Sequence, residues 1–539
     1  MNNMAYIIFA AIFGIYILSF YKESKNQLHM AQLEGYKPSQ YYSWIVHNLK
    51  AIFIDDDILF LAAGFLMSAL NYMKNPLAAE ITGIVLYTGV IIFSIYLSNK
   101  NAKKPKKPLV MTSRAKRLMS INYMLLALYG IILLVFSNII TSISCFLFIR
   151  YLLPLNMLLA SVIAYPVEMA IQRWYFRDAQ KKIRSFKNLK VIGITGSFGK
   201  TSTKYFIKTI LSEKYNVLMT PESYNTPMGI TRVIREQLND NHEVFVCEMG
   251  ARYPHDIKTL CNLAGPSVGV LTSIGKQHLE TFKTIGNVAK TKYELIESLP
   301  QGGIAVFNGD NEYCMKLAEK TKLEKYIYGI ENINDSTDVY AKDIKNTKKG
   351  LIFKVIFKGG EEIECTTSLL GRHNVSNILA AICVAKDMNL SDDEIIRGIS
   401  KIKPVPHRLE LLDTNNGITV IDDAFNSNPE GAAFALESVK EIEGTKKIVI
   451  TPGMVELGSS EYEENKKLGR KISDCCDIAI LVGAKRAKPM LDGLNECSFN
   501  KENIIVVSNL DEATSKLSGI VRPGDVVLFE NDLPDNYID

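Results

Sequence analysis

Metal-ligand spacings are missing from this chain. It has no CxxC pair and no His/Cys cluster, so neither a zinc site nor a disulfide framework is supported. Its nine cysteines are scattered, and the one adjacent pair, Cys475 and Cys476, has a spacing that rarely bridges. Buried thiols in a reducing compartment are the expected state. A large excess of either charge is missing too: 62 Lys+Arg against 57 Asp+Glu leave +5 over 539 residues, which does not suggest a nucleic-acid binder. No positive n-region precedes the first apolar run, 4–20, and no small-residue cleavage site follows it. That run reads as a retained anchor, not a signal peptide.

Composition is uneven along the chain. Long apolar runs dominate up to Ile171, and beyond Lys181 the sequence reads as soluble α/β, with the change inside the basic stretch 172–190. Five stretches approach spanning length: 4–20, 58–72, 81–98, 119–139 and 143–167. The second is the shortest, and a re-entrant or interfacial helix is its alternative. Segment 99–118 holds Lys100, Lys103, Lys104, Lys106, Lys107, Arg114, Lys116 and Arg117 with no acidic residue, which puts it in the cytoplasm. An uncharged turn near Thr141 then returns the chain to the cytoplasmic side at Arg173 and Arg177. No charge pair inside the spans is expected, and Asp55, Asp56 and Asp57 read as a solvated helix start. The expectation is an α-helical membrane region over 1–180, followed by α/β domains over 188–403 and 404–539.

The apolar strand KVIGIT runs into GSFGKTSTK and then a helical pattern. Strand, glycine turn and helix aim backbone N–H groups and the positive helix end at phosphates. Gly196 and Gly199 allow close approach of the oxygens, Lys200 reaches the outer phosphates, and the Thr201 hydroxyl suits Mg²⁺. Ile194 stands where the strict P-loop has its first glycine. Ligands of open parallel sheets lie beyond the strands' carboxyl ends, and polar groups recur there. Glu222, Asn225 and Thr226 follow NVLMT; Glu248 follows EVFVC; His278 and Glu280 follow SVGVLTSI; Asn308 and Asp310 follow GIAVF.

With GITGSFGKTSTK, SYNTPMG, CEMGA, HLETF, AKTKYELIESLP, FNGD, GRHNVSNILAA, PHRLE and IDDAFNSNP in that order, residues 190–529 resemble the Mur ligase family. The resemblance implies a P-loop central ATPase domain, a Rossmann-like C-terminal domain, and ATP-dependent joining of a carboxylate acceptor to an amino acid or dipeptide. It implies ATP held by Gly196, Ser197, Gly199, Lys200, Thr201, Ser202, Asn308, His373, Asn374, Asn377, Arg408 and Asp423. It also implies two Mg²⁺ ions, with Thr201, Glu248, His278 and a CO₂-carbamylated Lys292 as ligands, and a substrate pocket around Asn225, Thr226, Asn426 and Asn428. Catalysis would rest on Lys200, His278, Lys292 and Arg408. Lys290 stands two residues before Lys292, so a one-slot misalignment is open; an N-cap and turn remains open for His373, Asn374 and Asn377.

Three departures stand out. His407 occupies a usual glycine, Gly453–Gly458 match a second landmark less well, and FENDLP replaces an expected lysine-glycine-serine turn. Apolar spans also stand where relatives carry a nucleotide-gripping domain, so the acceptor is open, and membrane lipids are expected neighbours. The expectation is a multi-pass protein of the bacterial plasma membrane with cytoplasmic ligase domains. The alternatives are a P-loop-driven transport or signalling protein and a polyglutamate- or cyanophycin-type ligase.

Overall fold

The structure is a computed structural model and describes residues 14, 17, 20–50, 52–53, 58–100, 108–222, 224–347, 350–414, 416–424 and 427–533. The extreme C-terminus aside, the chain divides into two compact units, Met1–Arg173 and Trp174–Leu533.

The described part of the first unit is helical. Helices Pro76–Lys100, Ser113–Phe136 and Leu153–Ser185 each carry a stretch long and apolar enough to cross a membrane; Ile58–Tyr72 and Ile139–Tyr151 are shorter. Most of the expected span 4–20 lies outside the described residues, as do Lys103, Lys104, Lys106, Lys107, Asp55, Asp56 and Asp57. Two expectations are corrected. The turn near Thr141 falls instead at Ser137–Asn138, because the Asn138 side chain accepts the Thr141 N–H at 2.8 Å and caps the next helix. The single span 143–167 is two helices, Ile139–Tyr151 and Leu153–Ser185, with Pro154 in the first turn of the second, where its missing N–H needs no partner.

A charge pair also joins these helices, between Glu23, outside the five expected spans, and Arg150, inside the last of them. The Arg150 guanidinium, 8% exposed, lies 3.6 Å from the Glu23 carboxylate and over the Phe60 ring. Gln27 donates to Glu23 and Tyr41 Oη donates to Gln27, both at 2.6 Å. Asn156 donates to Asn122, which donates to Ser24. Helices Tyr21–Leu33 and Pro38–His47 carry half of this polar seam and are invisible to a search for apolar runs.

The second unit holds two sheets. The larger takes β1 (Lys190–Thr195), β2 (Val217–Met219), β3 (Val244–Glu248), β4 (Val268–Leu271), β5 (Ile304–Asn308), β6 (Glu324–Gly329), β7 (Val339–Thr347), β8 (Gly350–Phe357) and β9 (Glu362–Thr367) in the order β2-β3-β1-β4-β5-β6-β7-β8-β9. From β2 to β7 the neighbours are parallel, and β7–β8–β9 form an antiparallel extension. The central strands read as continuous apolar runs because helices cover both faces. Helix Arg372–Asp387 is buried nearly all round, from Asn374 to Ala385. The smaller sheet takes β10 (Glu410–Asp413), β11 (Thr419–Asp423), β12 (Lys447–Thr451), β13 (Ile478–Val482), β14 (Ile504–Val507) and β15 (Val526–Glu530) in the order β10-β11-β15-β12-β13-β14, parallel except for β10.

The end of helix Leu153–Ser185 belongs to this second unit. Ala179 and Ile183 are buried in a core with Val191, Ile230, Val233 and Ile234. Arg235 pairs with Asp178 at 2.6 Å, and its guanidinium lies over the Tyr175 ring. A fragment beginning at Trp174 should therefore be more stable than one beginning at Lys187 by about 2–4 kcal/mol, the burial of one large and one small apolar side chain plus their neighbours. Urea unfolding of the two fragments measures this, and equal midpoints would show that those helical turns add nothing.

Candidate active site

The loop 196–199 is pinned to the end of β4 by its own backbone. Ser197 N–H donates to Ser273 O at 2.9 Å, Phe198 N–H donates to Ser273 Oγ at 2.9 Å, and Thr272 Oγ1 donates to Phe198 O at 2.6 Å. The approach is so close that a Cβ on Gly196 would lie 1.9 Å from Thr272 Oγ1. Gly199 has φ +81° and caps helix Lys200–Leu211, and a side chain there would also strike Asn377 Oδ1. Both glycines are thus demanded by geometry, as the phosphate-loop reading expects. Thr272 and Ser273, which that reading passes over, do the pinning.

Two lysines converge on one carbonyl. Lys200 Nζ donates to Gly196 O at 2.7 Å, and Lys292 Nζ, from helix Ile285–Glu297, donates to the same oxygen at 2.8 Å. Lys292 is buried whereas Lys290 is exposed, so the inward-facing residue of the pair is the one the resemblance selects. Burial, then the neighbouring Lys200, holds the Lys292 amine well below the usual lysine range. Burial lowers Lys200 to about 8, with Glu248 opposing that shift and Arg408 adding to it.

Glu248 ends β3 and accepts from Lys204 Nζ at 3.0 Å and from Asn225 Nδ2 at 3.0 Å. Burial works to raise its pKa, but Lys204, Lys200 and Asn225 outweigh it and keep the carboxylate ionised below the usual range. Lys204 is fully buried and also donates to the Glu222 carbonyl. Its spacing signal, one helical turn after Lys200, could have found it. His278 follows β4 in a left-handed conformation, and its Nδ1 forms a short hydrogen bond with Glu456, which Arg252 also approaches at 3.4 Å. Burial lowers the His278 pKa against the pull of Glu456, and Arg252 lowers it further.

The remaining expected residues fall into two groups. Ser202, Asn374 and Arg408 line a cavity of about 110 Å³ together with Phe206, Pro404 and Val405. Beside it, Asn377 Oδ1 accepts from Thr203 Oγ1 at 3.2 Å, and burial lowers His373 to about 4. Asp423 ends β11; burial raises it to about 7, with Arg408 opposing. Thr201 lies half-buried in the first turn after the loop. The second group is engaged in local structure. Asn308 donates to Thr272 O at 2.9 Å, and Thr226 and Asn428 cap the helices that start at Pro227 and Pro429. Asn426 lies outside the described residues.

The Mur ligase middle domain matches residues 194–385, and the Mur ligase glutamate ligase domain matches residues 407–530. The chain belongs to the Mur ligase family. Two relatives named UDP-N-acetylmuramoyl-tripeptide–D-alanyl-D-alanine ligase are similar to it. That of Buchnera aphidicola is 32% identical over 54% of this chain and 62% of its own length, and that of Bacillus subtilis is 29% identical over 63% and 72%. The chain thus spans less than two-thirds of the Buchnera relative. A MurF ligase of Thermotoga maritima, solved in complex with ADP, has the same fold with a TM-score of 0.60, 27% identity, and coverage of 67% of this chain and 80% of that one. The family is one of ATP-dependent ligases that form amide bonds, and this membership disfavours the transport or signalling alternative.

The Lys204–Glu248 pair yields a stability prediction. Lys204→Met leaves a buried carboxylate without its main partner, which should cost about 3–5 kcal/mol at neutral pH. Because Glu248 is depressed in the folded state, its contribution is present above the ordinary value of 4.5 and is lost as pH falls through the depressed one. The gap between wild type and variant should therefore narrow below pH 4.5. Denaturant unfolding of the Trp174 fragment at pH 7 and in mild acid checks both the size and the narrowing.

Proposed function

We propose that this chain is a membrane-anchored, ATP-dependent ligase that joins a carboxylate to an amine through an acyl phosphate, adding an amino acid or dipeptide to a cell-envelope precursor. The observation that carries it is the convergence of Lys200 and Lys292 on Gly196 O. Two lysine side chains brought to one loop carbonyl are arranged to meet the negative charge of a polyphosphate. The phosphates of ATP would lie on loop 196–199, the base in the cavity beside Asn374 and Arg408, and the ribose near Asp423. Phosphoryl transfer to a carboxylate asks the protein mainly for position and charge, and Lys200 and Arg408 supply both. The amine then attacks the acyl carbon, and the C–O bond to phosphate breaks.

The donor set fits Mg²⁺. Glu248 is ionised and buried, Thr201 offers a hydroxyl one residue past the loop lysine, and His278 is kept neutral. Mg²⁺ would supply charge neutralisation on the transferring group. Protonated, Lys292 cannot be a ligand; burial and the neighbouring Lys200 favour its neutral amine, the form that adds CO₂, and a carbamate would give the second ion an oxygen.

Lys200→Met should lower ATP-dependent product formation by about 10²–10³-fold, the scale of removing one preorganised charge partner. Lys292→Ala should lose activity and regain part of it with added short carboxylic acids, while exposed Lys290→Ala stays close to wild type. Turnover with UDP-N-acetylmuramoyl-tripeptide, ATP and D-alanyl-D-alanine measures all three; normal activity of Lys200→Met would end the nucleotide reading.

The finer part of the proposal concerns the acceptor. Three helices long and apolar enough to span, together with the basic segment 99–118, support anchoring at an anionic leaflet, where each Lys or Arg near the surface contributes about 1 kcal/mol. An acceptor that is lipid-linked would then be presented without a soluble gripping domain. The Trp174 fragment separates the two cases: ligation of a soluble acceptor at the full-length rate excludes the lipid-linked acceptor, and dependence on added membrane extract supports it.

A further inference from the structure

Helix Pro429–Glu441 of the smaller-sheet domain lies against the phosphate loop. Phe434 packs its ring 5.8 Å from that of Phe198 and 6.2 Å from that of His373. One turn earlier, Glu430 sets both carboxylate oxygens on the α-carbon of Gly275, where a Cβ would lie 2.5 Å from Oε1 and 2.6 Å from Oε2. A side chain at position 275 would have to push that carboxylate aside. Gly275 is in turn strapped to the phosphate loop, since its N–H donates to Ser197 Oγ at 2.9 Å and Ser197 Oγ donates to its carbonyl at 3.1 Å. The chain of contacts from Lys200 through Ser197 and Gly275 to Glu430 is short and rigid.

The neighbouring charges across this junction are matched. Lys276 pairs with Glu464 at 2.8 Å, Glu464 also holds Lys467 at 3.0 Å, and His278 is bonded to Glu456. Glu430 is the exception. Its Oε2 is buried with no hydrogen-bond partner, and among the described residues it is the one charged side chain with such an atom. A buried carboxylate oxygen left bare is costly, and a site that keeps one has a use for it. Lys276, whose charge acts on Glu430, is already paired with Glu464.

The reaction proposed above brings one new cation to this junction, the ammonium of the incoming amine. We propose that Glu430 is a catalytic residue that receives this ammonium and takes its proton. The step balances: an ammonium N–H proton passes to the Glu430 carboxylate, and the freed nitrogen lone pair forms the C–N bond to the acyl carbon. The C–O bond to phosphate then breaks, and the phosphate leaves with that electron pair and takes up the second amine proton. The ligand class is a primary ammonium on a small amino acid or dipeptide. This inference rests on the ligase reading and deepens it.

Two nucleophiles separate the role from a structural one. Hydroxylamine is already neutral at pH 7 and needs no base, whereas D-alanyl-D-alanine arrives mainly as an ammonium. The full-length protein and Glu430→Gln are given ATP, Mg²⁺ and UDP-N-acetylmuramoyl-tripeptide with one nucleophile or the other. Loss of a general base should lower amide formation with the dipeptide by about 10²-fold or more, while hydroxamate formation stays within about threefold of wild type. Equal loss with both nucleophiles makes Glu430 a structural residue and overturns the inference, as does no loss with either. A raised Mg²⁺ requirement shared by both would assign the carboxylate to a metal instead and also overturns it. If wild type forms neither product from this soluble acceptor, a membrane extract is supplied as the acceptor source; absence of both products there too fails the ligase reading and the inference with it, whereas hydroxamate without amide in wild type refutes the ammonium role alone.

Discussion

Two lysine amines share the carbonyl oxygen of Gly196, and the rest of the ligase unit is arranged around that crowding. A cation buried beside another cation is unfavourable by several kcal/mol unless one of them gives up its proton or an anion joins them. Here burial pushes both amines down, Lys200 to about 8 with Arg408 adding to the fall, and Lys292 well below the usual lysine range with Lys200 adding to it. The site is poised for charge it does not itself contain. Each nearby device serves that condition: the loop is held flat against β4 by Thr272 and Ser273, and Gly196 admits no side chain between loop and strand.

A second buried pair sets the opposite sign one strand away. Lys204 keeps Glu248 ionised in a place where burial alone would protonate it. The carboxylate is thereby available to a divalent cation without having to lose a proton first. Lys200 lies close enough to each to couple them, since Glu248 raises its pKa while Arg408 lowers it. Positive charge on the loop and negative charge at the end of β3 are thus tuned together, and one substitution at Lys204 would be felt at both.

How much of this is legible in the sequence depends on the range of the contacts. The phosphate loop is local: strand, glycines and lysine lie within eleven residues, and each glycine meets the steric need that the motif implies. Polar groups beyond β3, β4 and β5 follow from the parallel-sheet rule and stand at the strand ends where it puts them. Glu456 and Glu430 escape because their partners lie more than 150 residues away, and no periodicity encodes a contact between two separately folded sheets. In the helical unit, hydropathy averages over Pro154 and Arg150 alike, so one long apolar run conceals a helix break and a buried cation. The strands β7, β8 and β9 alternate apolar and polar residues over short stretches and extend a sheet whose parallel part is far more conspicuous.

The polar seam of the first unit bears on what that unit is for. A helix that only anchors an enzyme needs apolar length, and polar groups within it are a cost. This unit instead pairs Arg150 with Glu23, joins Asn156, Asn122 and Ser24, and fixes Arg117 bidentately on Glu168 at 2.5 and 2.9 Å. Under the membrane anchoring proposed above, lipid would supply no hydrophobic drive between helices, and such pairs would select one packing among many that apolar faces alone would permit. Each pair also ties together segments far apart in the chain, from Glu23 to Arg150 and from Arg117 to Glu168. The first unit is therefore a bundle with one specified arrangement rather than a set of interchangeable anchors. A specified arrangement is what a unit needs if it is to hold an acceptor, and it is more than tethering requires.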